Sequence, residues 1–117
     1  MKFDASSLRI ITTGEETSRP VYEYADGKRT DVIKKDDSGH EMHRIMNLPA
    51  VWNGESVEVS LVLPREFTVP AYSILVAKNG TVEIGARADG NFAQLRYSVN
   101  AATVEAIGSY ADMLRLK

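Results

Sequence analysis

Two short stretches hold the residue types most able to do chemistry. His40-Glu41-Met42-His43 sets two imidazoles and a carboxylate close together, the groups that ligate zinc or move protons. Their spacing argues against a shared metal, and their mobile-looking segment is a poor place to preorganise a general base. The helical zinc pattern places its histidines four apart on one face, whereas on a strand residues 40 and 43 point to opposite faces. Asp36 and Asp37 adjoin Gly39, but no ladder of calcium-binding oxygens follows, so they read as turn residues. No glycine-rich phosphate loop and no Gly-x-Ser-x-Gly elbow occurs. The absence of cysteine excludes thiolate nucleophiles, disulfides and the usual structural zinc sites. The expectation is a chain that is not an enzyme and holds no metal and no cofactor.

The second stretch combines cations with flat rings. Tyr22, Tyr24, Lys28, Arg29, Lys34, Lys35, His43 and Arg44 fall within the span of one long hairpin. Single-stranded nucleic acid is bound by this combination: cations neutralise phosphates, and rings stack on unpaired bases at about 1–3 kcal/mol each. From Lys28 to Arg44 the balance is five Lys/Arg against four acids, namely Asp31, Asp36, Asp37 and Glu41. The competing reading is a solvated hairpin whose opposite charges pair across its strands. Two further residues join the candidate set. Trp52, before Asn53-Gly54, is either a stacking platform at a strand end or a ring covering the barrel mouth. Arg96 faces away from Leu95 and Tyr97 and extends a phosphate track if that face is shared. Met42 and Met46 read as gap-filling core residues.

The elements that must position these groups are strands. Val57, Val59, Leu61 and Leu63 alternate with Glu58 and Ser60; Val82, Ile84 and Ala86 repeat the pattern, as do Leu95, Tyr97 and Val99. Ala71 to Lys78 is apolar at nearly every position and reads as a strand covered on both faces. Turn signals stand at Asp26-Gly27, Asp36 to Gly39, Asn53-Gly54, Asn79-Gly80 and Asp89-Gly90-Asn91. Glu41 to Leu48 alternates poorly, as a strand does when it projects beyond a core. Asn100 can cap a helix over residues 101–107, although Val104 and Ile107 serve equally well in a closing strand. Ser109-Tyr110-Ala111-Asp112 matches a capping box before Met113-Leu114-Arg115-Leu116.

About five or six strands and one short C-terminal helix describe a mostly β chain. A small OB-like barrel fits this count, because closure removes exposed edges; an immunoglobulin-like sandwich is the alternative. The 117 residues suit one domain, with a long early hairpin over about residues 20–48. Fourteen Lys+Arg against sixteen Asp+Glu leave a net charge of −2, which argues against a strongly basic nucleic-acid binder while leaving room for a local basic stripe. No apolar run approaches the roughly 18 residues of a membrane helix, and Met1 to Ser7 lacks the apolar core of a signal peptide. A soluble, cytoplasmic protein is expected.

The order of the pieces resembles a family of short proteins of phages, plasmids and integrative conjugative elements. Their barrels are OB-like, and some are similar to the filamentous-phage helix-destabilising (gene V type) proteins. Residues 20–31, from Pro20-Val21-Tyr22-Glu23-Tyr24 through Asp26-Gly27-Lys28-Arg29, carry the resemblance, with Lys34 to Gly39 and the strand to Leu48. Val57 to Pro64, Ala71 to Ala77 and Leu95 to Ser98 continue it, over roughly residues 7–107. The resemblance implies a non-enzymatic single-stranded DNA-binding protein, usually a homodimer, acting in replication or transfer of the element. By position it implies contacts from Tyr22, Tyr24, Lys28, Arg29, Lys34, Lys35 and Arg44, with Arg96 less securely. A β-barrel that binds protein, as an accessory subunit of a phage or conjugation assembly, is the alternative.

Overall fold

Alternating sequence produces nearly all of the regular structure. The computed structural model describes residues 2–89 and 92–109, which contain strands and no helix. The early strands are short: β1 (Lys2–Asp4), β2 (Arg9–Ile11), β3 (Glu16–Thr17) and β4 (Arg19–Pro20). An arm of β5 (Tyr22–Ala25) and β6 (Lys28–Ile33) follows, then the long β7 (His43–Trp52) and β8 (Glu55–Leu63). β9 (Thr68–Val69) pairs with β3, and the chain continues through β10 (Ser73–Lys78), β11 (Thr81–Asp89), β12 (Phe92–Asn100) and β13 (Thr103–Ser109).

Two of the expected turns form as the residue types dictate. Asp26 and Gly27 have φ of 54° and 77°, and Asn53 and Gly54 have 52° and 80°. Positive φ at both central positions is the two-residue turn whose twist matches that of paired strands. Asn79-Gly80 behaves differently from the turn expected there. The strands on either side of it do not pair with each other. Lys78 pairs with Thr103 and Thr81 with Asn100 in the same register, so β10/β13 and β11/β12 are two halves of a single bent ribbon. The bend needs glycine: a Cβ at Gly80 would stand 3.0 Å from Ala77 Cβ and 3.2 Å from Ala101 Cβ.

The main sheet runs β1-β11-β12-β8-β7-β2-β10-β13, with β4 added against β7. All its pairs are antiparallel except β8–β12. A closed barrel was the expectation, and the ladders do not form one, since none joins the end strands β1 and β13. The bent ribbon is the reason, because it delivers its two halves to opposite ends of the sheet. The helix alternative over residues 101–107 gives way to β13, and the expected C-terminal helix falls on residues 110–117, outside the described residues. No helix among the described residues is long and apolar enough to cross a membrane.

Leu8, Ile10, Ile45, Leu48, Val59, Leu61, Leu63, Leu75, Val82 and Val99 form the centre of the core. Burial then fades along the β11–β12 ribbon. Val82 and Val99 are fully buried, Ile84 and Tyr97 half-buried, and the next pair, Ala86 and Leu95, exposed. The molecule measures 51 × 35 × 24 Å along its principal axes. Its radius of gyration is 15.0 Å, against about 13 Å for a compact chain of this size.

Candidate nucleic-acid interface

The poor alternation of Glu41 to Leu48 has a local cause. Ile45 pairs with Leu61 and Leu48 with Val59, so β7 carries one residue more than β8 between them. Asn47 absorbs the extra residue at φ 61°, the conformation that asparagine tolerates better than most side chains. The bulge lets Ile45 and Leu48 both face the core. Met46 is turned out, 46% exposed, and is not the core residue the sequence predicted.

Met46 lies in a groove of about 900 Å³ between β7, the short β3 and β4, and the arm. Main-chain hydrogen bonds lock the arm's base to the stem of β7. Lys34 N–H donates to Val21 O at 2.6 Å, Met42 N–H to Lys34 O at 2.9 Å, and Val21 N–H to Met42 O at 3.0 Å. On the arm, a register shift between Tyr22 and Tyr24 is spanned by Thr30, whose hydroxyl donates to Glu23 O at 2.9 Å.

Five of the sequence-predicted residues line this groove: Tyr22, Tyr24, Arg29, Lys34 and Arg44. The Arg29 guanidinium lies over the Tyr22 ring, 4.9 Å from its centroid. Tyr24, opposite Arg29 in the ladder, is 71% exposed. Arg19 also lines the groove and is not among the residues the sequence singles out. A signal was present, because a residue before proline is held extended, and Arg19-Pro20 pairs with Arg44 and His43.

The fold also sorts the charges. Arg19, Arg29, Lys34 and Arg44 line the groove with only Glu16 and Glu23. The four acids that diluted the hairpin's charge, Asp31, Asp36, Asp37 and Glu41, are not among its lining residues. Asp36 instead closes the turn to His40, accepting the N–H groups of Ser38 and His40 at 2.9 Å each. The His40 N–H is the main cause that holds the Asp36 carboxyl below its ordinary value. Among the described residues, no cation of the groove makes an ion pair within 4.0 Å.

The other four candidates stand apart. Lys28 pairs with Ala25 beside the arm's turn, and Lys35 faces Glu41 in an isolated bridge. Arg96 is exposed on β12 opposite Gly85. Trp52 is at the far end of β7 from Arg44, roughly 20–25 Å along the strand. It packs edge-on to Phe3 and Tyr97 at 5.6 and 6.2 Å and against the core, so it covers apolar residues there. The two histidines also part: His40 sits 3.6 Å from Asp36 at the turn, while His43 is half-buried on β7 with its Nδ1 unpartnered.

Comparisons with protein-family models, with curated proteins and with solved structures give no match.

Proposed function

We propose that this chain binds single-stranded DNA with little regard to sequence, as a non-enzymatic protein serving replication or transfer of a phage, plasmid or conjugative element. The groove's charge carries the reading: four cations without ion-pair partners among the described residues beside two tyrosines, against two lining acids, Glu16 and Glu23, with Asp31, Asp36, Asp37 and Glu41 placed elsewhere. Phosphates follow the cations, and Tyr24 offers an open ring to a base. Such a ring acts on unstacked bases, which favours a single strand over a duplex. Arg29 on the Tyr22 ring supplies a second flat surface, since guanidinium planes also stack on bases.

An OB-like barrel is the architecture proposed to carry this groove. Support comes from connectivity: β2, β7 and β8 are antiparallel neighbours, β8 and β12 are parallel, and the β10 half of the ribbon returns to β2. The circuit is then completed through the bend at Gly80 and not through a ladder between end strands.

The test is a fluorescence-anisotropy titration of labelled oligothymidine, a mixed-sequence strand and a duplex, at low and rising salt. Expected is a similar affinity for both single strands, weaker duplex binding, and a steep loss with salt. No binding at low salt removes the proposal.

Leu95 favours a second reading, protein association. It is 63% exposed beside Ala86 on the outer half of the ribbon, where a second copy of the chain would cover it. Light scattering that shows a dimer lost on Leu95→Lys, without any oligonucleotide affinity, selects this reading; a dimer that also binds DNA unites the two.

A further inference from the structure

We propose that Arg19 and Arg44 form a two-guanidinium clamp for one phosphate group. The inference deepens the nucleic-acid reading and rests on it for the source of that phosphate, a single-strand backbone. Arg19 and Arg44 are directly opposite in the β4–β7 ladder, and both line the groove. Directly opposite residues place their Cβ atoms about 4.5–5.5 Å apart on one face, where like charges repel. The fold does nothing within the described residues to relieve this. Neither guanidinium has an ion pair or a hydrogen-bond acceptor there.

Two arginines elsewhere show the contrast. Arg9 donates to the carbonyls of Ser6 and Leu8 at 2.8 and 3.1 Å, and Arg65 to Ala102 O and Thr103 Oγ1, both at 2.7 Å. Those side chains spend their donors on the protein. Arg19 and Arg44 keep theirs free on adjacent strands, and Pro20 and the β4–β7 pairing fix the main chain beneath them. An anion with several acceptor oxygens, bridging the two forks, satisfies both and cancels the repulsion. A phosphodiester has that chemistry, and so does a free phosphate or pyrophosphate.

The experiment follows oligothymidine affinity against salt for the intact chain, Arg19→Gln, Arg44→Gln, the double variant and Arg19→Lys. Thermal melting of each in pyrophosphate, against chloride at matched ionic strength, runs in parallel. Each glutamine variant is expected to lower the slope of log affinity on log salt by about 0.7, the value for one phosphate of a single strand. The double variant should lower it by less than twice that, because one phosphate is shared. Arg19→Lys should keep the slope but lose affinity, having no fork.

Slopes unchanged in both single variants overturn the clamp while leaving single-strand binding intact. Fully additive losses overturn the shared phosphate. If the intact chain binds no oligonucleotide, the nucleic-acid reading fails and pyrophosphate decides. A melting temperature raised in the intact chain but not in the glutamine variants supports a clamp for free phosphates, and no rise overturns it.

Discussion

Arg29 covers the Tyr22 ring, its guanidinium 4.9 Å from the ring centroid, while Tyr24 is paired across the ladder from the same arginine and remains 71% exposed. The two tyrosines therefore do different things. Tyr22 is half-buried and holds the arm together through a cation–π contact, worth about 0.5–1 kcal/mol at an exposed site. Tyr24 is open to solvent and buries little of its ring in the fold. Tyr24→Ala should lower oligonucleotide affinity by roughly 1–3 kcal/mol, or about 5- to 150-fold, with a melting temperature close to that of the intact chain. Tyr22→Ala should lower the melting temperature as well as the affinity. Equal thermal losses in the two variants would contradict this division.

Gly80 carries a prediction about the ribbon. A methyl group there meets the Ala77 and Ala101 side chains at 3.0 and 3.2 Å and the Asn100 carbonyl oxygen at 3.2 Å. Ala77 is in the core and the Asn100 oxygen is main chain, so neither yields without moving the bend. Gly80→Ala is expected to destabilise by about 1–3 kcal/mol, the usual cost of overpacking, measured by urea unfolding. Gly85, whose added Cβ would meet nothing within 4 Å, is the control. Gly85→Ala should stay within about 0.5 kcal/mol of the intact chain, and equal losses at both positions would argue against a packing origin.

What the sequence reveals and what it hides divide along a physical line. Local chemistry is legible: Asp26-Gly27 and Asn53-Gly54 adopt the positive φ values their types favour, and Val59, Leu61 and Leu63 are buried as their alternation requires. The nearly all-apolar run before Lys78 is a strand buried from Ser73 to Ala77. Register set by distant partners is not legible. Asn79-Gly80 resembles the hairpin turns in composition, and only the pairing of Lys78 with Thr103 and Thr81 with Asn100 shows that it bends a ribbon. The bulge at Met46-Asn47 shows in the sequence only as poor alternation, which does not say which residue turns outward, so Met46 reads as core although it is exposed. The place of Arg19 is hidden for a similar reason, since it is set by Arg44 on a strand far along the chain. Exposed rings also escape the pattern: nothing local separates Trp52, packed against the core, from Tyr24, which is open.

The bulge itself is testable at Asn47. Its φ of 61° lies in the left-handed region and its side chain is exposed, so a substitution there changes main-chain strain more than packing. Asn47→Gly relieves that strain and should leave stability within about 0.5 kcal/mol. Asn47→Val places a branched side chain in the same conformation and should cost about 1–2 kcal/mol. Because the bulge also turns Met46 into the groove, Asn47→Val should weaken oligonucleotide binding under conditions where the protein is still folded. A Val variant as stable as the Gly variant would show that β7 does not need the left-handed residue.

Asp36 makes stability depend on pH in a defined direction. Its carboxyl lies below the ordinary value of 3.8, chiefly because the His40 N–H donates to Oδ1. Desolvation opposes this, and the Ser38 N–H and the His40 imidazole act with it. A depressed value in the folded state means that the unfolded chain takes up the proton first as pH falls. The stabilisation is therefore complete above 3.8 and is lost as pH drops through the lower folded value. Asp36→Asn removes the titration and keeps an acceptor oxygen. The melting temperature of the intact chain minus that of the variant should be at its full value near about pH 5, where the carboxyl is ionised in both states. It should shrink steadily below 3.8. A difference unchanged across that acid window, measured at constant ionic strength, would show that the turn from Asp36 to His40 is not held by the ionised carboxylate.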